Sequence, residues 1–120
     1  MTDLQARLRD DLATAMRACD RDLVRLLRTV LSAIANAEAQ PVEGATRTSR
    51  LSSGPIAGAT TGVGATDVAR RDLGDDEVRA IVRAERHERI TAADDLAGRG
   101  LAAAAADLVT EAALLDRYLT

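Results

Sequence analysis

The chain has 120 residues, with 16 basic and 19 acidic side chains, and every basic one is arginine. Its single cysteine, Cys19, cannot close an internal disulfide, so a stapled secreted mini-fold is excluded and a reducing cytoplasmic setting is expected. Cys19 and His87 fall short of the four ligands of a structural zinc site, and the net charge of −3 argues against a generally basic nucleic-acid binder.

Residues 3–19 repeat Leu4, Leu8, Leu12, Ala15, Met16 and Cys19 in steps of three and four, which predicts a helix with one apolar stripe. Cys19 is expected as a small buried apolar side chain. Asp20 is the expected break, because its carboxylate can accept from the free N–H groups of the next helix. That helix is expected over 21–40, with Leu23, Leu27, Val30, Leu31 and Ile34 inward. Pro41 ends it, since the residue before a proline is pushed away from helical angles. So short a join reads as an antiparallel hairpin or as a bend in one long helix.

Residues 41–72 carry both prolines and five of the eight glycines among Ser, Thr and Ala, with no lasting period. Such a stretch cannot bury enough apolar surface to offset about 1–2 kcal/mol per residue of backbone ordering, and a flexible linker is expected. Gly54 to Gly64 lacks the lysine, the Gly-Lys-Ser/Thr ending and the preceding strand of a phosphate-binding loop.

A third helix is expected over 75–97. Gly74 stands at its cap, and Asp75, Asp76 and Glu77 face the positive end of the helix dipole. Leu73 and Val78 are spaced as a hydrophobic staple. Glycine at 98 and 100 suits the left-handed backbone of a helix end. A fourth helix is expected over 101–119, where Leu101, Ala105, Leu108, Ala112, Leu115 and Leu119 form a seam for another helix. Tyr118 sits beside that seam, with packing and an outward hydroxyl expected. The fold class is therefore all-α: two helical hairpins, four helices in a bundle-like arrangement, separated by the linker. With 25 alanines and only 15 leucines the core is expected to be thin, which favours a partner or self-association.

Chemistry concentrates at Glu85–Arg89, a polar break inside the third helix. Glu85 and Arg89 are four apart, the spacing of an ordinary solvated ion pair. Arg79, Arg83, Arg86 and Arg89 lie on one broad side and could meet phosphates bidentately. His87 with Glu88 lacks a nucleophile and an oxyanion donor, so no catalytic residue, metal site or cofactor is expected. A single tyrosine is poor equipment for base stacking.

Ala15-Met16-Arg17-Ala18-Cys19-Asp20, Leu27-Arg28 and Ser32-Ala33-Ile34-Ala35-Asn36-Ala37-Glu38 resemble the opening of the GatB/YqeY domain family. The resemblance resumes at Asp72-Leu73-Gly74-Asp75-Asp76-Glu77-Val78 and runs through Arg89, Ala92-Ala93 and Ala97-Gly98-Arg99. It closes at Glu111 and Leu115-Asp116-Arg117-Tyr118-Leu119. GatB belongs to a glutamine-dependent aminoacyl-tRNA amidotransferase, and its helical tail, which helps hold tRNA, is similar to free-standing YqeY-type proteins. The resemblance thus implies a cytoplasmic accessory module associated with tRNA or with an amidotransferase complex. The family label is carbon–nitrogen ligase with glutamine as amide donor, but that active site lies in another domain of GatB. Arg28, Arg79, Arg83, Arg86, Arg89 and Arg99 are then the expected nucleic-acid contacts. Three features depart from the family pattern. Members commonly continue past Tyr-Leu-Pro into a second helical subdomain, so a short form is expected here, where the sequence ends Tyr118-Leu119-Thr120. Cys19 replaces a usual basic residue, and the 41–72 stretch is longer than the usual connection. The alternative reading is a protein–protein adaptor or homo-oligomer with no nucleic-acid role, and no membrane partner is expected in either case.

Overall fold

In the computed structural model of the chain, residues 2–39 and 71–120 are described, and they form four helices with no strand among them. These are α1 (Asp3–Arg17), α2 (Arg21–Ala39), α3 (Asp75–Gly98) and α4 (Ala102–Asp116). α1 pairs with α2 and α3 with α4 as two hairpins, and α3 also packs against both α1 and α2. Of the linker expected at 41–72, residues 41–70 lie outside the described residues. Arg71 is described: its N–H donates to the Glu38 carbonyl at 2.7 Å, tying the second hairpin to the end of α2.

Each helix starts and stops for a local reason. The Thr2 hydroxyl accepts from Gln5 N–H at 3.1 Å and caps α1. Asp20 caps α2, its carboxylate accepting from Leu23 N–H at 3.2 Å. The Glu77 carboxylate reaches back to Gly74 N–H at 3.4 Å at the start of α3. α3 closes in a Schellman turn: Leu101 N–H donates to Leu96 O and Gly100 N–H to Ala97 O, with Gly100 at φ 82°.

α1 closes in the same motif, with Asp20 N–H on Ala15 O and Cys19 N–H on Met16 O, and here Cys19 holds the left-handed position at φ 57°. This corrects the expected helix end and the expected burial together. α1 stops at Arg17, and Cys19 is exposed because the turn swings it off the apolar stripe. A left-handed angle costs a residue with a Cβ about 1–2 kcal/mol. Cys19→Gly should therefore raise stability by about 0.5–1 kcal/mol, net of the freedom glycine adds to the unfolded chain. A lower urea midpoint for that variant would contradict the assigned turn.

The core gathers Leu4 and Leu8 of α1, Leu26, Leu27, Val30 and Ile34 of α2, Val78 and Val82 of α3, Leu115 of α4, and the flanking Leu73 and Tyr118. Leu73 and Val78 are both buried in this cluster, as a staple requires. The seam of α4 is read correctly at Ala105, Ala112 and Leu115, which are buried. The helix is shorter than expected, Ala102–Asp116, and Leu101, at the cap position, is 49% exposed, while Leu119 beyond the helix still packs against the core.

Tyr118 is a second correction. Beyond Asp116 the chain tightens, with Tyr118 N–H on Leu115 O and Leu119 N–H on Asp116 O. That turn carries the ring inward until it is 2% exposed, and its hydroxyl, expected outward, donates to Asp11 Oδ2 of α1 at 2.6 Å. The Arg7 guanidinium lies 4.9 Å from the ring centroid and donates to the Arg117 carbonyl at 3.0 Å. Burial, then the hydrogen bond and charge of Asp11, push the phenol well above its usual range. A pKa raised on folding stabilises the protein below the unfolded value of about 10, and that stability is lost as pH rises through the folded value. Tyr118 is the only chromophore of its kind. Its phenolate absorbance should rise only far above pH 10 and together with unfolding. An ordinary titration near pH 10 in folded protein would contradict the burial of Tyr118 against Asp11.

Candidate functional site

α2 is amphipathic. Leu26, Leu27, Val30 and Ile34 face the core, and its other side lines an open groove of about 870 Å³. Met16 and Cys19, at the end of α1, and Val24 and Ala33 of α2 supply apolar lining; Arg21, Arg25 and Arg28 supply charge, and Glu85 of α3 reaches the rim. The groove residues of α2 run from Arg21 to Asn36, four turns and about 22 Å of helix. Met16, expected on the inward stripe of α1, is instead 49% exposed, one of the larger apolar side chains left in solvent.

The three groove arginines differ in what they already hold. Arg25 pairs with Asp22 at 2.8 Å, but both side chains are largely in water, where such a pair is worth about 0–1 kcal/mol. Arg28 lies 3.9 Å from the Met16 sulfur. Neither Arg21 nor Arg28 makes a salt bridge among the described residues.

The arginines expected on α3 are spread among different tasks. Arg89 is mostly buried, donating to Glu85 Oε1 at 3.0 Å and to Glu111 of α4 at 3.0 Å. It also donates to the Glu85 carbonyl at 2.9 Å. The Glu85–Arg89 pair expected on a solvated face is thus sheltered within α3, and it is the Arg89–Glu111 pair that bridges α3 and α4. Arg86 pairs with Asp116 of α4. Arg99 pairs with Asp95 one turn back, at 3.0 Å and in water. Arg79 is half-buried and Arg83 exposed, neither with a salt bridge among the described residues. Of the six expected contacts, only Arg28 lines the α2 groove.

A smaller cleft of about 410 Å³ lies on the other flank of α2, between Asp22, Arg25 and Thr29 and the α4 residues Asp107, Thr110 and Glu111. Four of its lining charges are already paired, as Arg25–Asp22 and Arg89–Glu111, while Asp107 makes no salt bridge among the described residues. His87 and Glu88 are exposed. Among the described residues no group of three or more His, Cys, Asp or Glu could hold a metal ion. No helix among them is long and apolar enough to cross a membrane.

Arg21, Arg25, Val24 and Met16 were not singled out from the sequence as site residues. The available signal was the step of four and three between arginines 21, 25 and 28, on the side of α2 opposite its leucines. Fold and groove together define an all-α helical module with an open, cation-edged apolar groove. Comparison of the chain with protein-family models, with curated proteins and with solved structures finds no match.

Proposed function

We propose that this protein is a cytoplasmic helical accessory module of the GatB/YqeY type that holds a partner protein and carries out no chemistry of its own. The observation that supports this most directly is the α2 groove, which joins exposed apolar surface to arginines not committed to the fold. A contiguous exposed apolar surface rimmed by polar groups is the usual mark of a docking site. The class of partner the family resemblance points to is a tRNA-dependent amidotransferase. The test is affinity purification of the tagged full chain from its native cell, identifying co-eluting protein and RNA. One protein should be recovered in near-stoichiometric amount by the wild type and lost with Met16→Asp, a substitution at an exposed position that leaves the core intact. Recovery of RNA alone would overturn the reading.

The arginine row supports a second reading, in which the module touches tRNA directly through Arg21, Arg25 and Arg28. Phosphate contacts of that kind weaken steeply with salt. A gel shift with tRNA at low ionic strength, lost by moderate salt and by Arg28→Glu, is what it requires. An unshifted tRNA at high micromolar protein removes it.

A further inference from the structure

We infer that the α2 groove takes an amphipathic helix with an acidic edge, contributed by a different protein. The inference rests on the adaptor reading above and names the chemistry of the partner.

The groove is a shape for a helix. Its length of about four turns, set by Arg21 to Asn36, matches a segment of roughly 15 residues. Met16 at the end of α1 and Val24 and Ala33 toward the two edges of the α2 face offer apolar contact, and the flexible thioether of Met16 adapts to different anchors.

Charge selects among occupants. Among the described residues the groove is lined by Arg21, Arg25 and Arg28 and by one carboxylate, Glu85, which Arg89 already engages. Asp22 beside it pairs with Arg25, so the charge left for an occupant is chiefly that of Arg21 and Arg28. An acidic edge is therefore attracted, and a basic edge repelled. A second copy of the chain fits poorly. Antiparallel pairing of two α2 grooves, centred midway between residues 21 and 36, would bring Arg28 onto Arg28. Parallel pairing would set all three arginines against their own copies. RNA also fits poorly, since the groove offers an apolar floor and no aromatic ring for a base.

The test uses the full chain and a fluorescein-labelled 18-residue model peptide with leucines at helical spacing and glutamates along both edges. A lysine-edged counterpart and a tRNA pool are run beside it. Saturable anisotropy is expected for the glutamate-edged peptide, with binding at least tenfold weaker for the lysine-edged one. The double variant Arg25→Glu/Arg28→Glu should invert that preference, and Met16→Asp should weaken both peptides. Circular dichroism of each variant, unchanged, shows that folding is intact. Equal affinity for the two peptides, no binding of either, displacement of the peptide by tRNA, or a dimer in sedimentation that Arg28→Glu strengthens would each overturn the inference. If the peptides fail while the native partner is still captured by wild type and lost with Met16→Asp, the acidic helix is rejected and the adaptor reading stands.

Discussion

Leu27→Ala is expected to lower the unfolding free energy by about 2–5 kcal/mol, the range for removing a fully buried leucine from a packed core. Leu27 is completely buried, in a cluster to which all four helices contribute. Two contributions add: the transfer free energy of the lost methyl and methylene groups, and the contacts forfeited around the cavity they leave. Elsewhere such a loss is often tolerated, but total stabilities of small domains run only about 5–15 kcal/mol. Here the large aliphatic side chains are few and alanine fills many inner positions, so neighbours cannot collapse far into the gap. The urea midpoint should fall with little change in slope. Leu101→Ala is the matched control: at 49% exposure and outside the cluster, it should change stability by no more than about 0.5 kcal/mol. Equal effects of the two substitutions would mean that the cluster does not hold the fold.

Arg89→Ala is expected to cost about 2–3 kcal/mol, a discount on the roughly 3–5 kcal/mol of breaking a fully buried ion pair. The discount follows from Glu111, whose side chain is 32% exposed, and so keeps some water when its partner leaves. Glu85, at 15%, keeps much less. Removing Arg89 leaves these two carboxylates without their shared cation and releases the link from α3 to α4. Arg89→Met retains the packing of the stem, so its difference from alanine separates charge from contact. Arg99→Ala is the contrast, since Arg99 and Asp95 are both mostly exposed and their removal should be nearly neutral. A double-mutant cycle between Arg89 and Glu111 measures the link directly, and a coupling indistinguishable from zero would remove Arg89 from the account of the fold.

These two residues stand for two degrees of legibility. Leu27 is readable because helix burial follows a period set by its own neighbours, and Leu23, Val30 and Ile34 already fix which face of α2 turns inward. Arg89 is readable only in half. Its spacing from Glu85 announces an ion pair, but nothing local announces Glu111, 22 residues away on another helix. The consequence for the site is direct. An arginine that counts as a phosphate contact in sequence is already held by two carboxylates in the folded chain. Arg28, seen in sequence as part of a family-like segment, makes no salt bridge among the described residues and lines the groove.

Four helices, most of their inward stripes away from Met16, Cys19 and Leu101, and the caps at Asp20, Glu77 and Gly100 were legible along the chain. Such features depend on residues within about one turn of each other, so a linear reading contains their cause. The folding of α1 back on α2 is not among them: the sequence leaves it open against one bent helix, and the packing decides. Tertiary structure alone decided that Tyr118 would turn inward to Asp11, that Arg86 and Arg89 would be taken up by α4, and that the outer side of α2 would become a groove. Those outcomes depend on which side chains distant segments bring within a few ångströms. A guanidinium or a phenol takes the partner the packed helices deliver, and its own neighbours in sequence do not specify which one that is.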